Sequence, residues 1–145
     1  MLKVGFVGVG GISGAHIPVW LKIPEVELVA LCDVRPKQME KWAEQTSANF
    51  YTDFDEMLKS EKLDILDICL PTYLHADYSI KAMEMGINVI CEKPISLKYE
   101  DVKRVYAAAE KNNVKFMVAQ VLRFWREYIA ISLLLLRNII LQFTH

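Results

Sequence analysis

Short apolar runs alternate along the chain with longer stretches in which apolar residues recur at helical spacing. Runs at about residues 2–8, 27–32, 48–51, 64–70, 87–91 and 115–119 read as strands, and helices fill most of the intervals. Between them Ile12, Ala15 and Val19 fall at i, i+3 and i+7, one stripe of a first helix. Met39, Trp42 and Ala43 form the stripe of the second, and Val102, Val105, Tyr106 and Ala109 that of the fifth. Boundary residues agree with this division. Asp53 with Glu56 three residues on makes a capping-box-like start, Ser96 caps a helix whose first turn carries Glu100 and Asp101, and Gly86 stands where a C′ glycine belongs. Strand and helix in alternation predict an α/β fold, a doubly wound parallel sheet of six strands with helices on both faces. In such a sheet a ligand lies across the carboxyl ends of the strands, where the strand order reverses.

The first such end reads Gly8-Val9-Gly10-Gly11-Ile12-Ser13-Gly14, and an acid, Asp33, closes the second strand. Gly8 lets the chain turn sharply off the strand, Gly10 leaves room for a diphosphate against bare backbone, and a small residue at Ser13 lets helix and sheet approach. The phosphates sit on the amides of Gly11, Ile12 and Ser13, where free N–H groups and the positive end of the helix dipole attract an anion without a basic side chain. Asp33 follows Ser13 by about 20 residues, the distance at which a carboxylate reaches a ribose hydroxyl. The expected ligand is therefore a dinucleotide. Asp33 favours NAD, because a carboxylate repels a 2′-phosphate. Arg35, two residues on past Val34, reaches a phosphate or stacks on adenine, which leaves NADP open.

A chain of 145 residues with a formal charge of −1 fits one domain of ordinary size and offers no basic stripe for nucleic acid or an anionic membrane. Cys32, Cys69 and Cys91 each fall at the end of a strand and share no CxxC spacing. They read as buried reduced thiols of a cytoplasmic protein, and no metal site is expected. The opening residues imitate a secretory signal only superficially, since glycines interrupt them.

The remaining strand ends are residues 70–75, 91–94 and 120–124. Glu92-Lys93-Pro94, the segment Leu70-Pro71-Thr72-Tyr73-Leu74-His75, the pair Arg123-Phe124 and the opening glycines together resemble the Gfo/Idh/MocA oxidoreductases, the family of glucose-fructose oxidoreductase and inositol dehydrogenase. The resemblance covers about residues 1–128, all within the cofactor domain such proteins carry at the N-terminus. It implies a dehydrogenase acting on a sugar, a polyol or a related hydroxylated substrate with NAD as cofactor. Lys93 is then the catalytic proton-transfer residue and a substrate contact, its pKa lowered in an apolar site that substrate covers. Glu92 orients Lys93 or meets the nicotinamide ribose, and Pro94 fixes the backbone. Leu70, Pro71 and Thr72 line the nicotinamide half with His75 nearby, Gln120 reaches the carboxamide end, and Arg123 faces substrate. Leu70 departs from the small polar residue usual in the family, which removes one side-chain hydrogen bond. His16 and His145 are read as structural or incidental.

The division expected is residues 1–124 as the NAD(P)-binding domain and 125–145 as an apolar helical tail, with the family's substrate domain absent. The tail, residues 129–143, reads as apolar all round, with Arg137 interrupting it. Fifteen such residues in a helix cover roughly 22 Å, short of the bilayer core of roughly 30 Å. Three readings are open: burial against the sheet or a second copy, an interfacial membrane anchor, or the product of a truncated or shifted frame. The favoured one is truncation with the tail buried in a homo-oligomer. On this view the chain binds nucleotide but turns over little by itself. A non-catalytic NAD(H)-binding module or remnant is the alternative from another functional class.

Overall fold

A computed structural model describes the backbone of residues 1–142 and the side chains of residues 1–134. Six strands form one wholly parallel sheet: β1 (Leu2–Val7), β2 (Val26–Cys32), β3 (Asn49–Tyr51), β4 (Ile65–Ile68), β5 (Asn88–Glu92) and β6 (Phe116–Ala119). Their order is β3-β2-β1-β4-β5-β6. The chain runs outward from β1 to β3, returns to the centre, and then runs outward the other way. The reversal falls between β1 and β4, where Val7 pairs Ile68, and this is the order of the dinucleotide-binding α/β fold.

Right-handed crossovers put the helices of the two halves on opposite faces. Helices α1 (Ser13–Trp20) and α2 (Lys37–Glu40) cover one face, over Val4, Phe6, Leu28 and Leu31. Helices α3 (Phe54–Ser60), α4 (Thr72–Glu84) and α5 (Tyr99–Lys111) cover the other, over Leu66, Ile68 and Val89. The pleat sends alternate residues of each strand to opposite layers, and each fully buried side chain of this size contributes about 1.5–3 kcal/mol.

Local signals account for most helix ends. Asp53 caps α3, its carboxylate accepting the Glu56 N–H at 2.8 Å, and Gly86 follows α4 with φ +79°. Ser96 does not cap α5 itself. Its hydroxyl accepts the N–H of Lys98, the true N-cap, and donates to Asp101 at 2.9 Å, so it braces the approach rather than the first turn.

Three stripes differ from expectation. In α1 the side buried on the sheet carries Ser13 and Ile17, while Ile12 (46 % exposed), Ala15 and Val19 (56 %) face outward. Helix α1 is apolar nearly all round, so spacing alone does not select the inward side. The outward stripe borders a strip of β5 and β6 that no described helix covers. The second helix stops after one turn and continues as turns to Gln45, so Met39 and Trp42 are buried but Ala43 is not. On α5 Val105 and Ala109 are buried, whereas Tyr106 lies past the sheet edge, 54 % exposed, its ring edge-on to Phe116.

After β6 a 3-10 turn (Val121–Phe124) leads into α6 (Arg126–Gln142). Through residue 134 every α6 side chain is exposed, so this stretch is not buried against the sheet. The tail's later side chains, and residues 143–145 altogether, lie outside the described residues. Among the described residues no helix is long and apolar enough to cross a membrane.

Candidate functional site: a dinucleotide cleft at the strand ends

The strand ends that the sequence singles out converge at the reversal between β1 and β4. Gly8 leaves β1 with φ +91°, and a Cβ there would stand 2.6 Å from the backbone carbon and oxygen of Cys69 and 2.8 Å from the Leu70 nitrogen. The turns after β1 and β4 therefore touch backbone to backbone, which only glycine permits. Gly10 is different. A Cβ there would meet only the Arg35 guanidinium, at 4.0 Å, and at Gly11 nothing within 4 Å. No described neighbour demands glycine at either position, and the bare backbone of both faces open space. Ser13 is buried, and its hydroxyl donates to the Gly10 carbonyl at 2.5 Å, drawing the loop onto the helix start.

This cradle opens into a cavity of about 410 Å³ lined by Gly8, Gly10, Asp33, Arg35, Leu70 and Pro71, with Val34 on its wall. Asp33 is buried. One carboxylate oxygen accepts the Arg35 N–H at 2.8 Å and lies 3.3 Å from the Arg35 Nε, which lays the guanidinium across the cavity mouth. Thr52, Phe54, Tyr73, Leu74 and Tyr78 complete the walls. Sequence reasoning assigned none of these five a role in the site, although Tyr73 and Leu74 lie in the segment it singled out; Thr52 and Phe54 follow β3 while the other three sit on α4, two segments that only the sheet brings together.

A second, wider cleft of about 860 Å³ lies along β6 and the turn after β5 and joins Lys93, Pro94, Gln120 and Arg123, with Tyr106 and Phe124 on its walls. Lys93 stands exposed on its rim; the apolar cover foreseen for it does not come from the described residues. Thr72 opens α4 half-buried and lines neither cavity. His75 is buried beneath both. Its Nδ1 and Nε2 each lie 2.7 Å from a carbonyl oxygen, that of Pro94 and that of Leu70. It thus ties the turn after β4 to the turn after β5, and its place is behind the cleft wall rather than in it.

Glu92 half-emerges at the end of β5, and one of its oxygens accepts the Lys93 N–H at 3.0 Å. The other lies 3.2 Å from His16 Nε2, while His16 Nδ1 lies 2.9 Å from the fully buried Asp67, which also accepts the Trp20 indole N–H at 2.7 Å. The hydrogen bond to Asp67, opposed by burial and aided by Glu92, raises the His16 pKa above its ordinary 6.5. His16, Asp67 and Cys69 put ligand-type atoms within 4.8 Å of one another, but Asp67 here is met by donors from His16 and Trp20, the pattern of a hydrogen-bond network. The signal that could have found this network was Asp67, an acid inside the apolar run of β4. The three cysteines are buried free thiols. Burial and neighbouring carboxylates push Cys32 up to about 12 and Cys69 further up, and burial pushes Cys91 to about 12.

The model of the oxidoreductase family's NAD-binding Rossmann fold matches residues 2–120. The chain belongs to the Gfo/Idh/MocA family. Its matched part is the NAD-binding domain of that family. It is 35 % identical over 127 residues to a 2,7-anhydro-N-acetylneuraminate hydratase of Mediterraneibacter gnavus, covering 86 % of this chain and 33 % of the relative. It is 31 % identical over 112 residues to the D-glucoside 3-dehydrogenase of Escherichia coli, 76 % of this chain and 32 % of that one. Among solved structures, the scyllo-inositol dehydrogenase of Lactobacillus casei, with bound NAD(H) and scyllo-inositol, superposes at a TM-score of 0.87 and 26 % identity over 95 % of this chain and 42 % of its own. The chain thus spans about a third of the length of the curated Gfo/Idh/MocA relatives it matches.

Proposed function

We propose that this chain holds NAD(H) across its strand ends and serves as the cofactor half of an oxidoreductase acting on a sugar, polyol or related hydroxylated substrate. The contrast between Gly8, whose missing side chain is required by the chain's own backbone, and Gly10, whose missing side chain faces open space, carries this reading. The diphosphate rests on the amides of Gly11, Ile12 and Ser13 at the start of α1. Asp33 takes the adenosine ribose with the oxygen Arg35 leaves free, Val34 flanks the adenosine end, and Leu70 and Pro71 lead from there along the nicotinamide half. Thr72, Gln120 and Pro94 border the nicotinamide end, with His75 holding two of these turns from behind. Arg35, already turned toward Gly10, lets the site tolerate NADP.

When bound, the nicotinamide supplies or accepts hydride. Lys93 takes up the proton lost from the hydroxyl at its Nζ, or returns it in the reverse direction, and Glu92 fixes the backbone from which Lys93 emerges. Arg123 orients the substrate hydroxyls. Turnover needs walls around Lys93 beyond those the described residues supply, because orientation and exclusion of water carry much of a rate enhancement. We place the protein in the cytoplasm, where three buried thiols stay reduced, and assign the exposed apolar side chains of α6 to contact with a second copy.

Titration of NADH by fluorescence, followed by an absorbance assay of NAD reduction with a panel of sugars and polyols, tests this. Saturable binding without turnover is expected; absence of binding overturns the reading, and turnover by the chain alone overturns its restriction to a cofactor half.

A further inference from the structure

Helix α1 reaches β4 through His16 and Trp20, and β5 through His16. His16, one turn beyond the proposed phosphate-binding amides, contacts Asp67 on β4 with one ring nitrogen and Glu92 on β5 with the other. Glu92 in turn accepts the N–H of Lys93 with its second oxygen. Both ring nitrogens face carboxylate oxygens, so both bonds form together only when each nitrogen carries a hydrogen. A ring with one hydrogen satisfies one carboxylate and turns a lone pair toward the other. Asp67 is fully buried and further fixed by Trp20, whereas Glu92 is only half-buried, so Glu92 is the partner that lets go. Its release frees the backbone of Lys93.

We propose that His16 is a positioning residue for Lys93, acting through Glu92. The proposal rests on the reading of Lys93 as the proton-transfer group, and it makes the placement of that group depend on the charge of a residue on another element. The titratable and charged groups that face His16 are Asp67 on β4, Cys69 just after it, and Glu92 on β5; Lys93 lines the same groove, and β6 presents Met117 and Ala119. Burial holds the Cys69 thiol far above its ordinary range, which keeps it out of the window in which His16 titrates. The hydrogen bond to Asp67 raises the His16 pKa above its ordinary 6.5, so the clamp is closed in the protonated form and opens as the pH rises through that raised value.

The experiment is an NMR titration of the whole chain without coenzyme, across about pH 5 to 9, following the His16 ring and the Lys93 amide together. The expected result is one shared midpoint above 6.5 for both signals. In Glu92→Gln the His16 midpoint shifts down and the Lys93 amide loses its response. In His16→Asn the Lys93 amide stays at its alkaline position throughout; should that variant fail to fold, Glu92→Gln alone decides. A Lys93 amide that ignores the His16 midpoint, or that keeps its titration in Glu92→Gln, overturns the proposal, since a merely structural histidine would leave that amide unmoved. No coenzyme enters the measurement, so its failure leaves the NAD reading intact, and an empty NADH titration leaves this coupling intact.

Discussion

Alanine placed at position 10 and at position 8 should separate a residue kept for a ligand from one kept for the fold. At Gly10 the new methyl would meet only the far end of Arg35, at 4.0 Å, an ordinary contact with a flexible side chain. Stability should hold or rise slightly, by about 0.4–1 kcal/mol, because alanine restricts the unfolded chain. The same methyl stands where a diphosphate must approach the backbone. Losing good geometry to one buried anion costs about 1–3 kcal/mol, which weakens NADH binding about 5- to 150-fold. At Gly8 the methyl would stand 2.6 Å from the Cys69 carbonyl group at φ +91°. A left-handed backbone costs about 1–2 kcal/mol and overpacking about 1–3, a large share of the 5–15 kcal/mol typical of a domain. Melting of Gly8→Ala should fall by roughly 5–20 °C. Thermal unfolding read by circular dichroism, paired with fluorescence titration of NADH, measures both quantities. The reasoning is refuted if Gly10→Ala binds NADH as the parent does, or if Gly10→Ala loses as much stability as Gly8→Ala.

Other expectations are open to measurement. Asp53→Ala removes the carboxylate that caps α3 and should cost about 1 kcal/mol in urea unfolding, with Asp53→Asn nearly neutral. All three thiols should resist a disulfide-exchange reagent in the native protein and react at once in denaturant, since burial keeps them protonated, Cys32 and Cys91 up to about 12; fast native reaction of any one contradicts its assignment. His16 has a folded pKa above its ordinary 6.5, so its charged form contributes stability that is complete below pH 6.5 and lost as pH rises through the folded value. Urea midpoints should therefore decline from pH 6.5 upward in the parent and stay flatter in His16→Asn, and parallel curves would remove this residue from the pH dependence.

The sheet and its ligand-bearing edge were legible because they rest on local patterns. Short apolar runs mark the strands, and the glycine turn between β1 and α1 is specified by residues within one short segment. What stayed hidden depends on residues far apart in sequence. The spacing of Ile12, Ala15 and Val19 declares a stripe but not what it faces, and the inward side of α1 turned out to be Ser13 and Ile17 because the strands beneath are those of the first half of the sheet. Tyr106 keeps helical register with Val102 and Val105 yet overhangs the sheet edge. His16 and Asp67 are 51 positions apart, and His16 and Glu92 are 76 apart, so no window along the chain contains the network they form. His75 likewise shows its role only once Leu70 and Pro94 stand on either side of it.

The pairing of β1 with β4 bears on how the protein is made. Val7 sits between Cys32 on one side and Ile68 on the other, and the Cys69 amide donates to the Val7 carbonyl at 2.8 Å. A nascent chain leaving the ribosome completes β1, α1 and β2 long before it presents the strand that closes the other edge of β1. Until then that edge is an open template of unpaired amides, and the turn after Gly8 has no wall to lean on. Assembly of the central strand must wait until β4 has been synthesised, so slow codons or a chaperone acting between those two moments would bear on the yield of native protein.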